Sequence, residues 1–166
     1  MKRRTELIVM VGVPASGKST FVEKNFGSHR CLSLDKLKSR ARESRILQSL
    51  TESAVIDNTN VTKEARRRYI DFAKSRGMSI RAIYLNVDPE VAVERNSKRE
   101  KAVPSHVIYF YQNKLVPPSV AEGFDSVEEI YCRRCGSEKA KLSDGGFYCI
   151  SCGAEPHFPL RQSAKK

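Results

Sequence analysis

Apolar and β-branched runs recur at Leu7 to Gly12, Arg30 to Leu34, Ser53 to Asp57, Ile80 to Val87 and Val127 to Tyr131, each of strand length and bounded by polar or turn-forming residues. The stretches between them read as helices: Lys18 to Phe26, Lys36 to about Leu50, Thr62 to Arg76, Pro89 to about Lys101 and Ser105 to Leu115. Local signals agree with these limits. Thr62 can cap its helix with Ala65 at the third position, Asp88 is a good N-cap before Pro89, and Gly77 is a good stop after Arg76. Pro117-Pro118 ends the last helix and opens a looser connection through Glu122-Gly123-Phe124-Asp125 to the final strand. No internal repeat is visible. Strands alternating with helices predict an α/β fold with a mostly parallel sheet flanked by helices, and such sheets bind ligands at the carboxyl ends of their strands.

Composition narrows the picture. The 166 residues, 40% of them hydrophobic, suit one α/β domain plus something small. A formal charge of +11 favours a polyanionic partner such as nucleic acid, although charge alone does not name it. The opening Met1-Lys2-Arg3-Arg4 before an apolar run mimics a signal peptide, but that run is only about seven residues and leads straight into a loop. Nothing approaches the roughly 20 apolar residues of a membrane span. The expectation is a cytoplasmic protein, no membrane association, and cysteines that serve some purpose other than disulfides.

Gly12-Val13-Pro14-Ala15-Ser16-Gly17-Lys18-Ser19, followed by Thr20, fits the phosphate-loop pattern G-x-x-x-x-G-K-[ST] and begins where the first strand stops. A glycine-rich turn lets backbone N–H groups point at phosphate oxygens, Lys18 reaches the β- and γ-phosphates, and the Ser19 hydroxyl ligates Mg²⁺. Gly12, Pro14, Ala15, Ser16, Gly17, Lys18, Ser19 and Thr20 are therefore the candidate nucleotide-binding residues, with ATP and Mg²⁺ implied.

Two acids follow predicted strands, Asp35 after Cys31-Leu32-Ser33-Leu34 and Asp57 after Ala54-Val55-Ile56. Either can cap a helix or brace a turn. A kinase, however, needs a carboxylate to orient and deprotonate the acceptor hydroxyl, and Asp35 is the better candidate. Asp57 is followed by Asn58 where hydrolytic ATPases commonly place a water-activating Glu, which disfavours a motor or switch ATPase. Arg95 and Arg99 are four apart and share one face of a predicted helix. They are either a solvated basic face or a mobile lid matched to the charge of a transferring phosphoryl group.

The run Arg95-Asn96-Ser97-Lys98-Arg99-Glu100-Lys101-Ala102-Val103-Pro104, with the phosphate loop and Asp57-Asn58-Thr59-Asn60, resembles the kinase module of the phage-type polynucleotide 5′-kinase/3′-phosphatase family over roughly residues 6 to 128. Glu122-Gly123-Phe124-Asp125 is similar too. The resemblance implies a P-loop kinase fold and ATP-dependent phosphoryl transfer to the 5′-hydroxyl of DNA or RNA. By position, Lys18 and Ser19 correspond to the phosphate and Mg²⁺ contacts, Asp35 to the general base, and Arg95 and Arg99 to the lid arginines. Asp57 matches a family acid on the acceptor side or in a structural role. Lys38 stands where the family places a basic acceptor-phosphate contact, usually Arg, so it keeps the charge and loses the bidentate fork. This chain departs in two respects. Only 21 residues separate Asp35 from Asp57, which shortens the acceptor-binding part, and nothing after Gly123 resembles a DxDxT phosphatase motif.

The C-terminal stretch holds Cys132-Arg133-Arg134-Cys135-Gly136 and Cys149-Ile150-Ser151-Cys152-Gly153, with 13 residues between the pairs. Two such knuckles read as a structural four-thiolate Zn²⁺ ribbon, with disulfides, redox pairs or an iron-sulfur cluster as alternatives. Arg133, Arg134, Lys139 and Lys141, with Phe147 and Tyr148, would let the ribbon either grip nucleic acid or act as a plain stabilising lid. Cys31 reads as a small buried hydrophobe. The domain reading is a P-loop kinase-like domain over 1–128, a zinc ribbon over 129–158 and a basic tail over 159–166. Three functions remain open: a polynucleotide 5′-kinase, a small-molecule or nucleoside kinase, and a zinc-ribbon nucleic-acid-binding module that responds to ATP. The residues do not address oligomeric state.

Overall fold

The computed structural model describes residues 5–130, 141–143, 146–148 and 161–162. Its centre is β1 (Glu6–Val11), whose uninterrupted apolar run is buried on both faces, as a strand inside a parallel sheet requires. Leu7, Val9 and Val11 enter one hydrophobic cluster, and Ile8 and Met10 enter the other, the period-two alternation of a pleated strand. β1 pairs in parallel with β3 (Ala54–Ile56) and β4 (Ser79–Leu85), β2 (Arg30–Leu32) pairs with β3, and β5 (Ser126–Ile130) pairs with β4. The order is β2-β3-β1-β4-β5-β8, where β8 (Arg161–Gln162) runs antiparallel to β5, and β6 (Lys141–Ser143) and β7 (Gly146–Tyr148) form a separate hairpin.

Helices cover both faces. One cluster takes Leu47 from α3 (Arg40–Gln48) and Tyr69, Ile70 and Ala73 from α4 (Lys63–Ser75). The other takes Phe21 and Val22 from α1 (Lys18–Asn25), Ala92 from α5 (Pro89–Ser97) and Ile108 from α6 (Ser105–Lys114). The expected caps form: the Thr62 side chain accepts from Ala65 N at 3.2 Å, and Asp88 accepts from Glu90 N at 2.8 Å ahead of Pro89. Gly77 adopts φ 64° just past α4, the left-handed value that favours glycine. Chain continuation after β1 goes to β2 and β3 on one side and to β4 and β5 on the other, so a crevice opens at the carboxyl ends of β1 and β3.

Three elements differ from the sequence expectation. The helix expected from Lys36 to Leu50 is broken into α2 (Leu34–Leu37) and α3. Lys38 adopts φ 55°, closing α2, and Ser39 then caps α3 by accepting from Arg42 N at 3.3 Å. β2 ends at Leu32, so Asp35 lies in the first turn of α2 rather than in a loop after the strand. α5 ends at Ser97, short of Lys101, which places Arg99 beyond the helix. Cys31 is half-buried in β2 and packs against the second cluster. No described helix is long and apolar enough to cross a membrane. The expected ribbon ligands Cys132, Cys135, Cys149 and Cys152 lie outside the described residues, as do Arg133, Arg134 and Lys139.

Candidate active site

The phosphate loop leaves β1 at Gly12, whose N–H donates to Thr59 O at 3.0 Å. Glycine is required there: at φ 154° a Cβ would come within 2.8 Å of Ser16 Oγ and 3.1 Å of Leu85 O. Gly17, at φ 92°, is the N-cap of α1 and aims that helix's first turn at the loop. Inside the loop, the Lys18 ammonium donates to Gly12 O at 2.9 Å, Val13 O at 2.8 Å and Ser16 Oγ at 3.3 Å. Burial pushes its pKa down from 10.5 to about 8, with Asp57 and Asp35 opposing that shift and Arg99 adding to it. The lysine is thus held ready on neutral oxygens, close enough to both acids to feel their charge.

The segment after β3 joins every part of the site. Asp57, buried at the strand end, accepts from Ser19 Oγ through Oδ2 at 2.7 Å. Asn58 accepts from Leu34 N at 2.8 Å, beside Asp35, and its amide donates to Glu43 Oε1 at 2.8 Å and to Tyr69 OH at 3.2 Å. Tyr69 OH donates to the same Glu43 oxygen at 2.9 Å, and Arg68 forms an ion pair with Glu43 Oε2 at 3.1 Å. Burial and then Glu43 push the Tyr69 phenol up to about 12. Asn60, at φ 48°, donates to Met10 O at 2.8 Å and so ties this loop to β1.

Arg95 and Arg99 do not share a helix face, because Arg99 lies past the end of α5. Asn96 is the reason. Its amide donates to Val103 O at 2.6 Å and its carbonyl accepts from Val103 N at 3.0 Å, a two-point clamp that folds residues 98–103 back as a loop. Both arginines nevertheless line the same cavity, and a Cβ added at Gly17 would lie 4.0 Å from Arg95 Nη1.

That cavity measures about 1120 Å³. Residues 14–20, Asp35, Lys38, Asp57, Arg95 and Arg99 all line it. Apart from the four cysteines, which lie outside the described residues, the site residues predicted from sequence therefore line one cavity, Gly12 alone excepted. Glu43, Asn58, Asn96 and the cavity-lining Tyr111 are site residues that the sequence expectation does not include. For Glu43 and Asn96 the signal was a polar residue at a core spacing: Glu43 lies four before buried Leu47, and Asn96 four after buried Ala92. Among the described residues no group of three or more His, Cys, Asp or Glu side chains is placed to hold a metal ion.

Residues 7–118 match the family described as AAA domain. The bifunctional polynucleotide phosphatase/kinase of Schizosaccharomyces pombe is 34% identical over 135 residues, covering 75% of this chain and 33% of that protein. The chain spans about a third of the length of the curated relatives it matches. In fold, a gluconokinase from Sinorhizobium meliloti 1021 superposes with TM-score 0.56 at 17% identity, covering 77% of this chain and 84% of that one. Chaetomium thermophilum Kti12, solved in complex with ADP-AlF3, gives TM-score 0.59 at 18% identity, covering 75% and 88%. With a phosphate loop ending a central strand, a parallel sheet in the order β2-β3-β1-β4-β5 and the match over residues 7–118, the chain belongs to the AAA domain family and has the fold of a P-loop kinase.

Proposed function

We propose that the protein transfers the γ-phosphoryl group of ATP to the 5′-hydroxyl end of a polynucleotide. The observation that carries this reading is the convergence of Lys18, Asp35, Arg95 and Arg99 on one cavity, where a carboxylate, an ammonium and two guanidinium groups line the same space. The similarity to a polynucleotide phosphatase/kinase supports the choice of acceptor.

In this reading the phosphates lie in the loop, and Lys18 gives up its hold on Gly12 and Val13 oxygens for the β- and γ-phosphates. Asp35 accepts the proton of the 5′-hydroxyl as its oxygen attacks the γ-phosphorus. The bond to the β–γ bridging oxygen breaks, ADP leaves, and Arg95 and Arg99 balance the charge spread over the equatorial oxygens. Ser19 and Asp57 offer the hard oxygen donors that suit Mg²⁺, which when bound supplies further positive charge at the β- and γ-phosphates. Lys38, which lines the same cavity, meets a phosphate of the acceptor.

The zinc reading extends to the C-terminal segment: Cys132, Cys135, Cys149 and Cys152 supply four thiolates, in keeping with a cytoplasmic setting that holds thiols reduced. Metal analysis of the purified protein, expected at one Zn per chain and lost on Cys132→Ser with Cys149→Ser, tests it.

The enzymatic test is incubation with Mg²⁺ and γ-labelled ATP, offering 5′-hydroxyl DNA and RNA oligonucleotides beside a nucleoside panel. Label on the oligonucleotide 5′ end, absent in Lys18→Ala and Asp35→Ala, is the expected result. Label confined to a nucleoside would move the assignment to a small-molecule kinase. Nucleotide binding with no transfer would leave an ATP-responsive binding module.

A further inference from the structure

Residues 36–45 and 63–68 look alike in sequence, each dense in Lys and Arg, yet the fold uses them in opposite ways. In the second stretch the arginines are held by carboxylates: Arg66 by Glu122 at 2.7 Å, Arg67 by Asp71 at 3.0 Å and Arg68 by Glu43 at 3.1 Å. In the first, Lys36, Lys38, Arg40, Arg42 and Arg45 are all exposed, and among the described residues none is in an ion pair. The carboxylates of α2 and α3 are in no ion pair with them. Asp35 faces the cavity, and Glu43 is turned wholly inward and held by Asn58, Tyr69 and Arg68. What remains outside is a cationic face.

This face adjoins the active site along the chain. Lys36, Lys38 and Arg40 line the cavity, and Arg42 and Arg45, which follow on α3, do not line it. Those two are three residues apart, hence neighbours on the helix surface about 4.5 Å apart along its axis. Glu43 and Leu47 fix the opposite side of α3 inward, so the outward direction of Arg42 and Arg45 is set by the core. Two neighbouring guanidinium groups close to the cations of an acceptor site match a ligand whose anionic groups recur along its length, and guanidinium is the group best suited to phosphate.

We propose that the outer face of α2 and α3 carries the phosphodiester backbone of the acceptor strand away from the cavity, with Arg42 and Arg45 gripping phosphates beyond the 5′ nucleotide. This rests on the polynucleotide 5′-kinase reading and adds that affinity grows with acceptor length.

The test compares a 5′-hydroxyl dodecanucleotide with a nucleoside 3′-monophosphate, using wild type, Arg42→Ala/Arg45→Ala and Arg42→Lys/Arg45→Lys. Fluorescence anisotropy gives dodecanucleotide binding across a salt series, and steady-state transfer gives kcat and KM for both acceptors. The alanine pair is expected to weaken dodecanucleotide binding on the order of tenfold and to flatten the log affinity against log salt slope by about 1.4, two single-strand phosphate contacts, with the lysine pair keeping most of the slope. Kinetics with the monophosphate should stay within twofold of wild type. Unchanged dodecanucleotide affinity and slope would overturn the proposal, and so would an equal loss with both acceptors. If wild type phosphorylates neither acceptor, the kinase reading fails, and the anisotropy comparison still decides whether this face binds the strand.

Discussion

Ser19 Oγ donates to Asp57 Oδ2 at 2.7 Å, joining the first turn of α1 to the end of β3. Both residues line the cavity, and because the hydroxyl is the donor, Ser19 Oγ and the second Asp57 carboxylate oxygen remain acceptors for a cation or its water. Asp57→Asn keeps the shape and removes the charge. The expected outcome is a rise of roughly 10–100-fold in the Mg²⁺ concentration giving half-maximal transfer, the usual cost of losing a supporting carboxylate. Titration of transfer rate against Mg²⁺ at saturating ATP checks it, and an unchanged midpoint would assign Asp57 to the acceptor instead.

Asn58 is placed to position α2, because it holds the Leu34 N–H next to Asp35 and is itself held by Glu43. Asn58→Asp retains the acceptor for Leu34 N but sets a carboxylate against the buried Glu43. A shift of α2 by about 1 Å can cost on the order of a hundredfold in turnover. We expect kcat to fall by about tenfold or more with KM for ATP unchanged. Partial recovery is expected in Asn58→Asp/Glu43→Gln, where the amide introduced in place of the Glu43 carboxylate can donate to the new carboxylate. Equal kcat in the single variant and wild type would assign Asn58 to stability alone.

The buried pair of Arg66 and Glu122 predicts a stability effect. The guanidinium donates through Nε to Glu122 Oε2 at 2.8 Å and through Nη2 to Oε1 at 2.7 Å, while Nη1 serves Asn60 O at 2.9 Å and Val116 O at 3.0 Å. Arg66→Ala leaves a nearly buried carboxylate with only the Ser119 N–H as donor and takes the guanidinium from two carbonyls, which costs about 3–5 kcal/mol. Arg66→Lys should lose a large part of that, since one ammonium cannot reproduce the fork. Urea unfolding gives both values, and a loss under about 1 kcal/mol for Arg66→Ala would show that the pair merely balances its desolvation.

Much of this was legible in the chain because strong local rules wrote it. The β1 run, the phosphate loop and the Thr62 and Asp88 caps each follow from residues within one turn of one another, and all fall where the pattern placed them. The misreadings came where a competing local preference or a more distant partner decides. Helical spacing continues through Lys38 and Ser39, but Ser39 prefers to cap and Lys38 accepts a left-handed conformation there. Arg99 looked like part of α5 until Asn96 closed its loop on Val103, a contact across seven residues that periodicity does not encode. The difference between the two basic clusters was invisible for the same reason: it depends on Glu122, 56 residues away from Arg66, and on which way Glu43 faces.

Lys18 gives the pH prediction. In the free protein its pKa is lowered to about 8 by burial, whereas in the unfolded chain it stays near 10.5. Between these values the unfolded state binds more protons, so this group makes the free protein more stable as pH rises from about 8 toward 10.5. Phosphate in the loop reverses the preference, because a polyanion beside the amine favours its protonated form. ATP binding near pH 8 to 9 is therefore expected to take up a fraction of a proton, and affinity should weaken as pH climbs through that range. Titration calorimetry in buffers of different ionisation enthalpy measures the uptake directly. Lys18→Met should remove it and, in thermal melts of the free protein, remove the rise in stability above about pH 8 as well. Proton uptake that survives in Lys18→Met would assign the titration to another group.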